Sequence, residues 1–324
     1  MDIAKRVIII ILVLALIIGA VFALYLWEQS NSDFVGDSEF SMAGFVSHEG
    51  GLYKLRDDVE TLLLMGVDKF ESEIEAGSYT NDQSADFLVL LVIDHSAKTC
   101  STIGINRDTM TKVNVLGVGG TKVGTVTEQV ALSHTYGTGS NDSCRNTARA
   151  VANIFGGMKV DNYVSLTMDA VPVVNDLVGG VDITVLEDLT SVNPKFIKGE
   201  TVTLYGDEAL QYVRARMGVG DQTNISRMER QNQYMDALYS KLIDLMASED
   251  DDVSITGELV SYITSNCSVN ELDGLLESLK SYENGGSHGI DGESVVGERF
   301  MEFYPDEEKL KDLVVDLFYK PILE

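Results

Sequence analysis

Two unbroken apolar runs, TLLLMGVD at 61–68 and DFLVLLVID at 86–94, set the first limit on the fold. A strand that alternates apolar and polar residues can leave one face in water, but a run without alternation must be covered on both faces. A third run, CSTIGIN at 100–106, follows after only 95–99, a hairpin-length link, so the second and third strands are expected to pair antiparallel. The link between the first two, 69–84, is rich in Glu, Gly, Ser and Asn and reads as a surface loop. If the three strands are antiparallel neighbours, Asp68 ends the first, Asp86 begins the second and Arg107 follows the third. Two carboxylates and a guanidinium then fall on one rim of the sheet.

Downstream, 144–155 reads as a helix, YVSLTM (163–168) as a strand, 169–178 as a helix stopped by Gly179 and Gly180, and VDITV (181–185) as a strand. Strands alternating with helices after a meander predict an α/β fold, a single mixed β-sheet flanked by helices in an α/β/α sandwich. GDEALQYVRAR (206–216) opens as a helix. Arg214 and Arg216 would diverge by about 200° on a continuing helix, so termination near Gly218 is expected if both are to serve one site. In SRMERQNQYMDALYSKLIDLM (226–246), Ser226 and Glu229 form a capping box that starts the next helix. Arg227, Arg230, Gln231 and Tyr234 share one of its faces. Arg230 is the least certain member of that set and has Glu229 or Asp207 as candidate partners. Free N–H groups, a positive dipole end and nearby guanidiniums make such a helix start an anion site.

Four of the ten arginines lie within 214–231, although the formal net charge of the 324-residue chain is −27. That charge excludes nonspecific nucleic-acid binding, which needs a broad basic surface, so any phosphate recognition is local. Residues 7–27 carry no formal charge and are long enough to cross about 30 Å of hydrocarbon. Lys5 and Arg6 precede them, placing residues 1–6 in the cytoplasm and everything after residue 28 outside. A cleaved signal peptide would have a shorter apolar core and a small-residue cleavage site, so 7–27 reads as an uncleaved single-pass transmembrane helix in the cell membrane. Residues 28–58 then form an extracytoplasmic stalk, 59–246 the main domain and 247–324 a helical extension packed on it. In that extension Ser268 and Glu271 form a second capping box, and a last helix spans 306–319. Cys100, Cys144 and Cys267 allow one disulfide, but buried free thiols are the plainer reading.

Asp is common where strands end, so the two rim aspartates alone carry no function. Their co-occurrence with Arg107 and the arginine cluster does. Carboxylates acting with substrate phosphate oxygens are the usual way Mg²⁺ is held, and guanidinium forks suit a diphosphate. Phosphoryl transfer needs mainly such positioning and charge neutralisation. His48, His95, His134 and His288 are scattered, and there is no H-E-x-x-H, G-x-S-x-G or Walker motif. His134 either lines a site or is a hydrogen-bonded structural residue.

The assembled blocks LLLMGVD, SADFLVLLVID, INRDTMTKV, ALSHTYG, DNYVSLTMDAVPVVNDLVGGVDITV, GDEALQYVRAR and SRMERQ resemble the LytR-CpsA-Psr family of Gram-positive cell-envelope proteins, from about 60 to 235. The resemblance implies a phosphotransferase that moves a glycopolymer, such as a teichoic acid or capsular polysaccharide, from an undecaprenyl-diphosphate carrier onto peptidoglycan. It implies that Asp68 and Asp86 hold Mg²⁺, that Arg107, Arg214, Arg216 and Arg227 bind the diphosphate, and that Gln231 positions a phosphate oxygen. Three positions depart from the family pattern: Ser84 for a common Arg, Ala131 for a Lys, and Asn106 for a Pro. Lys122 is a candidate to restore the lost charge. A polyprenyl-diphosphate pyrophosphatase and a non-catalytic polyprenyl-phosphate or polymer receptor are the competing readings.

Overall fold

The computed structural model describes residues 44–69, 81, 83–215, 230, 233–234, 237–238, 241, 260–279, 281–297 and 301–322, with Asp68 and Lys69 described by their backbone. The expected membrane helix at 7–27 lies outside these residues. Among the described residues no helix is long and apolar enough to cross a membrane.

The described residues open with a hairpin, β1 (Phe45–His48) and β2 (Gly51–Leu55). Its turn residues Glu49 and Gly50 have φ of 46° and 79°, the positive pair that matches the twist of a two-residue hairpin. β2 also pairs with the strand Tyr319–Pro321, and Val46, Tyr53 and Leu55 pack against the main core, so residues 44–55, part of the segment expected as stalk, form a strand pair here. Their alternation is short and half exposed, which makes it easy to read as linker.

The apolar runs form β3 (Val59–Lys69) and β4 (Gln83–Asp94), paired antiparallel, and β5 (Thr99–Gly104) pairs antiparallel with β4. The expected meander is present. A second hairpin follows, β6 (Met110–Leu116) with β7 (Lys122–Gln129), then a 3-10 turn at Val130–Thr135 and helix α1 (Asn141–Ile154). Next come β8 (Asn162–Thr167), α2 (Ala170–Leu177), the β9 (Val181–Thr184) and β10 (Thr201–Leu204) pair, and α3 (Asp207–Arg214).

The C-terminal part differs from the expected helical extension. It has helices α4 (Val269–Leu279) and α5 (Glu307–Phe318), but also β11 (Ile263–Ser265), β12 (Glu283–Gly289), β13 (Gly292–Val296), β14 (Met301–Pro305) and β15 (Tyr319–Pro321). β11 and β12 close the two edges of a six-stranded sheet of order β11-β8-β3-β4-β5-β12. Its β3–β8 and β5–β12 pairs are parallel and the rest antiparallel. The sheet is mixed as expected, but it is not single: four smaller sheets accompany it among the described residues.

Helices cover both faces of the large sheet, as the continuous apolar runs require. Leu63, Met65, Leu88 and Leu90 pack with α1 and α5, while Leu62, Ile93 and Val164 pack with α4. Each such side chain, when fully buried, contributes about 1.5–3 kcal/mol. A separate cluster, with Ile183, Leu204, Tyr212 and Tyr234, holds α2 and α3 to the β9–β10 pair. All three cysteines are free, so the disulfide the composition permits does not form.

Candidate active site

The rim where β3 ends and β4 begins contains a break in the ladder. Gly66 pairs with Phe87 and Val67 with Ala85, which leaves Asp86 as the extra residue of a β-bulge. A bulge of this kind re-aims the side chain it carries. Gly66 permits the close approach, since a Cβ there would meet the Phe87 Cβ at 3.0 Å.

Asp86 is held from two sides. Its Oδ2 stands 2.8 Å from Arg107 Nη1, and its Oδ1 accepts a short hydrogen bond from the Ser84 hydroxyl. Both partners of the ion pair are largely shielded, with side-chain exposures of 11% for Arg107 and 14% for Asp86. The meander thus brings Asp86 and Arg107 together as the sequence predicts. Asp68 lies opposite Ser84 in the β3–β4 register, at the same end of the sheet.

The loop that presents Arg107 is built from Asn106. The Asn106 Oδ1 accepts from the Asp108 N–H at 2.9 Å, and its carbonyl accepts from the Thr109 N–H at 3.0 Å and the Thr109 hydroxyl at 2.6 Å. This Asx-type turn does the fixing that a proline would otherwise do. Gln129 Nε2 donates to Asp108 Oδ1 at 2.8 Å, and that oxygen lies 3.5 Å from Arg107 Nε. The buried Nε–H of Arg107 makes no hydrogen bond among the described residues.

Ser84 and Ala131, the positions without the family's positive charge, are both buried. Ser84 supports Asp86, and the Ala131 N–H donates to the Arg107 carbonyl at 3.1 Å. Lys122 starts β7 opposite Leu116, in a two-stranded sheet separate from the large one.

Arg214 is the last residue of α3, and Ala215 turns extended. The helix therefore stops earlier than the expected end near Gly218. Arg216, Arg227 and Gln231, with the Ser226 and Glu229 cap, lie outside the described residues. Arg230 is buried and forms an ion pair with Glu187, which lies just beyond β9. Its Nε donates to the Tyr212 carbonyl at 3.3 Å and its Nη2 to the Ala215 carbonyl. Burial lowers its pKa from the ordinary arginine value. Arg230 therefore caps the end of α3 with Glu187 as its ion-pair partner and not the candidate Asp207; the other candidate, Glu229, lies outside the described residues. Sequence spacing put it on the anion face because nothing local marks Glu187 as its partner.

His134 is also buried, with Nδ1 3.1 Å from the Gln83 carbonyl and Nε2 3.7 Å from Cys144 Sγ. Burial pulls its pKa below the ordinary imidazole value, against the smaller effect of that hydrogen bond. Of the two readings left open for it, the buried and hydrogen-bonded one describes its place in the fold.

An all-oxygen site is what a hard divalent cation requires. Each Asp86 oxygen already accepts one bond, and a carboxylate offers about four acceptor sites, so Asp86 retains capacity for such an ion. Among the described residues no group of three or more His, Cys, Asp or Glu is placed to hold a metal.

Residues 31–314 match the model of the LytR_cpsA_psr family. A Bacillus subtilis relative, polyisoprenyl-teichoic acid--peptidoglycan teichoic acid transferase TagU, is 24% identical over 301 residues, covering 91% of this chain and 89% of its own. TagT of the same organism, which carries the same transferase name, is 29% identical over 272 residues, or 80% and 76% of the two chains. In fold, the crystal structure of B. subtilis TagV superposes with a TM-score of 0.58 at 22% identity, covering 81% of this chain and 97% of that one.

Proposed function

The chain belongs to the LytR-CpsA-Psr family, and on that premise we propose that it transfers a glycopolymer phosphate from a polyprenyl-diphosphate carrier to peptidoglycan. The observation that carries this reading is the shielded Asp86–Arg107 pair, which fixes a guanidinium beside a carboxylate on the rim where β4 bulges. Transferase names among the relatives support it.

Arg107 binds the diphosphate and neutralises charge as it builds up on the departing phosphate; a preorganised donor of this kind is worth about 2.7–4 kcal/mol in the transition state. Asp86, fixed by Ser84 and by the bulge, keeps the Arg107 fork oriented and excludes other rotamers. Arg214, with Arg216, Arg227 and Gln231, supplies further anion contacts. A peptidoglycan sugar hydroxyl attacks the phosphorus next to the polymer. A new P–O bond forms to the acceptor, its hydroxyl proton passes to water, the bond to the bridging oxygen breaks, and polyprenyl monophosphate leaves. Asp86 and Asp68 would hold Mg²⁺, which when bound screens the diphosphate charge. The domain works outside the cell membrane, tethered by 7–27.

The test is incubation of the full chain in detergent with an undecaprenyl-diphosphate-linked glycopolymer, with and without Mg²⁺ and a peptidoglycan oligomer. Polymer joined to the oligomer, with release of undecaprenyl phosphate, is the expected product. Release of phosphorylated polymer without any joined product would replace transfer with hydrolysis, and binding without turnover would replace it with a receptor role.

A further inference from the structure

β4 outruns its neighbour at the active rim. The β5 ladder covers only Val89–Asp94 of β4, so the first residues of β4 extend past the end of β5. A carbonyl in such a stretch needs a partner from elsewhere. For Gln83, three residues before Asp86, that partner is the His134 ring at 3.1 Å.

The 3-10 turn that carries His134 is also tied to the other half of the site. The Ala131 N–H donates to the Arg107 carbonyl at 3.1 Å and the Val130 N–H to the Thr109 carbonyl at 2.8 Å. Asn81 adds a second strap, since its Nδ2 donates to the carbonyls of His134 at 2.8 Å and Gly137 at 3.0 Å. One short turn therefore grips both the strand that brings Asp86 and the loop that brings Arg107. A carbonyl accepts only from a donor, so the Gln83 bond requires the proton on Nδ1. Nε2 then faces the Cys144 thiol as an acceptor.

We propose that His134 is a positioning residue for the transfer site: its Nδ1–H bond to Gln83 sets the spacing between Asp86 and Arg107. Neither His134 nor Cys144 touches substrate in this account. The inference deepens the transferase reading and rests on it for its kinetic arm, while its structural arm stands apart.

The two ring nitrogens can be separated by substitution. In His134→Asn the amide nitrogen takes the place of Nδ1 and can still donate to Gln83. In His134→Gln it takes the place of Nε2, near Cys144, and the Gln83 bond is lost. The experiment compares both variants with the unaltered full chain, reading kcat and KM for the lipid-linked donor, the melting temperature, and hydrogen exchange at 83–87 and 106–109. Expected is a kcat for His134→Gln about 10–100-fold lower, with faster exchange in both segments. His134→Asn should keep kcat within about threefold and retain the protection. A purely structural role moves the melting temperatures of both variants and leaves kcat per folded molecule the same in each, which would overturn the proposal. If His134→Gln does not fold, a His134→Asn kcat reduced more than about tenfold overturns it as well, and a preserved kcat supports it. Should the unaltered chain show no turnover, the transferase reading fails while the exchange comparison still decides whether the His134 bond to Gln83 holds the two segments.

Discussion

At the scale of single residues, the question is what each arginine in an acidic chain is paired with. Arg107 meets Asp86 on the rim, with Asp108 beside its Nε, whereas Arg230 spends its fork on Glu187 and two carbonyls at the end of α3. The two therefore respond differently to removal. Arg230→Ala leaves a buried carboxylate and open carbonyls, and urea unfolding should register a loss of about 3–5 kcal/mol. Pairing Arg230→Met with Glu187→Leu should recover most of it, because the uncompensated charge goes too. A loss below about 1 kcal/mol for the single variant would remove the structural role given to Arg230. The meeting of Asp86 and Arg107 was legible in the sequence because strand ends and short links decide which residues share a rim. The fate of Arg230 was not, because it depends on Glu187, more than forty positions earlier.

Among the elements, the strongly patterned ones declared themselves. The two apolar runs became β3 and β4, and the final helix, expected at 306–319, became α5 at Glu307–Phe318. Its start has a physical cause: Asp306 Oδ1 accepts from the N–H groups of Glu308 at 3.1 Å and Lys309 at 3.2 Å. Asp306→Ala should cost about 1 kcal/mol of stability by urea unfolding without changing the transfer rate, since the cap lies outside the site. Elements made by pairing alone were silent. β12 reads ENGGSHG, with neither alternation nor β-branched residues, and is a strand because it lies parallel along β5. The bulge at Asp86 is silent for the same reason: it exists only in the register between two strands.

For the whole molecule, the end of the sheet away from the rim carries a second ion cluster. Arg56 donates to both oxygens of Asp58, at 3.0 and 3.1 Å, and forms a short bond to Asp94 at the far end of β4. The hydrogen bonds from Arg56, with help from Ser96, hold the Asp58 carboxyl well below the usual carboxylate range. For Asp94, burial pushes the other way, yet the Ala97 N–H and Arg56 bring it down as well. Depressed folded-state values mean that stability is present above the unfolded carboxylate value of about 4 and is lost as pH falls below it. The urea midpoint should therefore fall steeply below about pH 4, and Arg56→Ala should flatten that fall while lowering the midpoint at neutral pH. An unchanged acid limb in the variant would dissociate this cluster from acid unfolding.

The central claim is that Asp86 and Arg107 act as one unit on a diphosphate, and kinetics on single and double variants test it most directly. With lipid-linked donor, Mg²⁺ and peptidoglycan oligomer, Arg107→Ala and Asp86→Ala should each lower kcat/KM by about 10²–10³-fold. The double variant should be little worse than the more damaged single one, as expected for residues that work together. Rates within about threefold of the unaltered chain for both single variants would contradict the account.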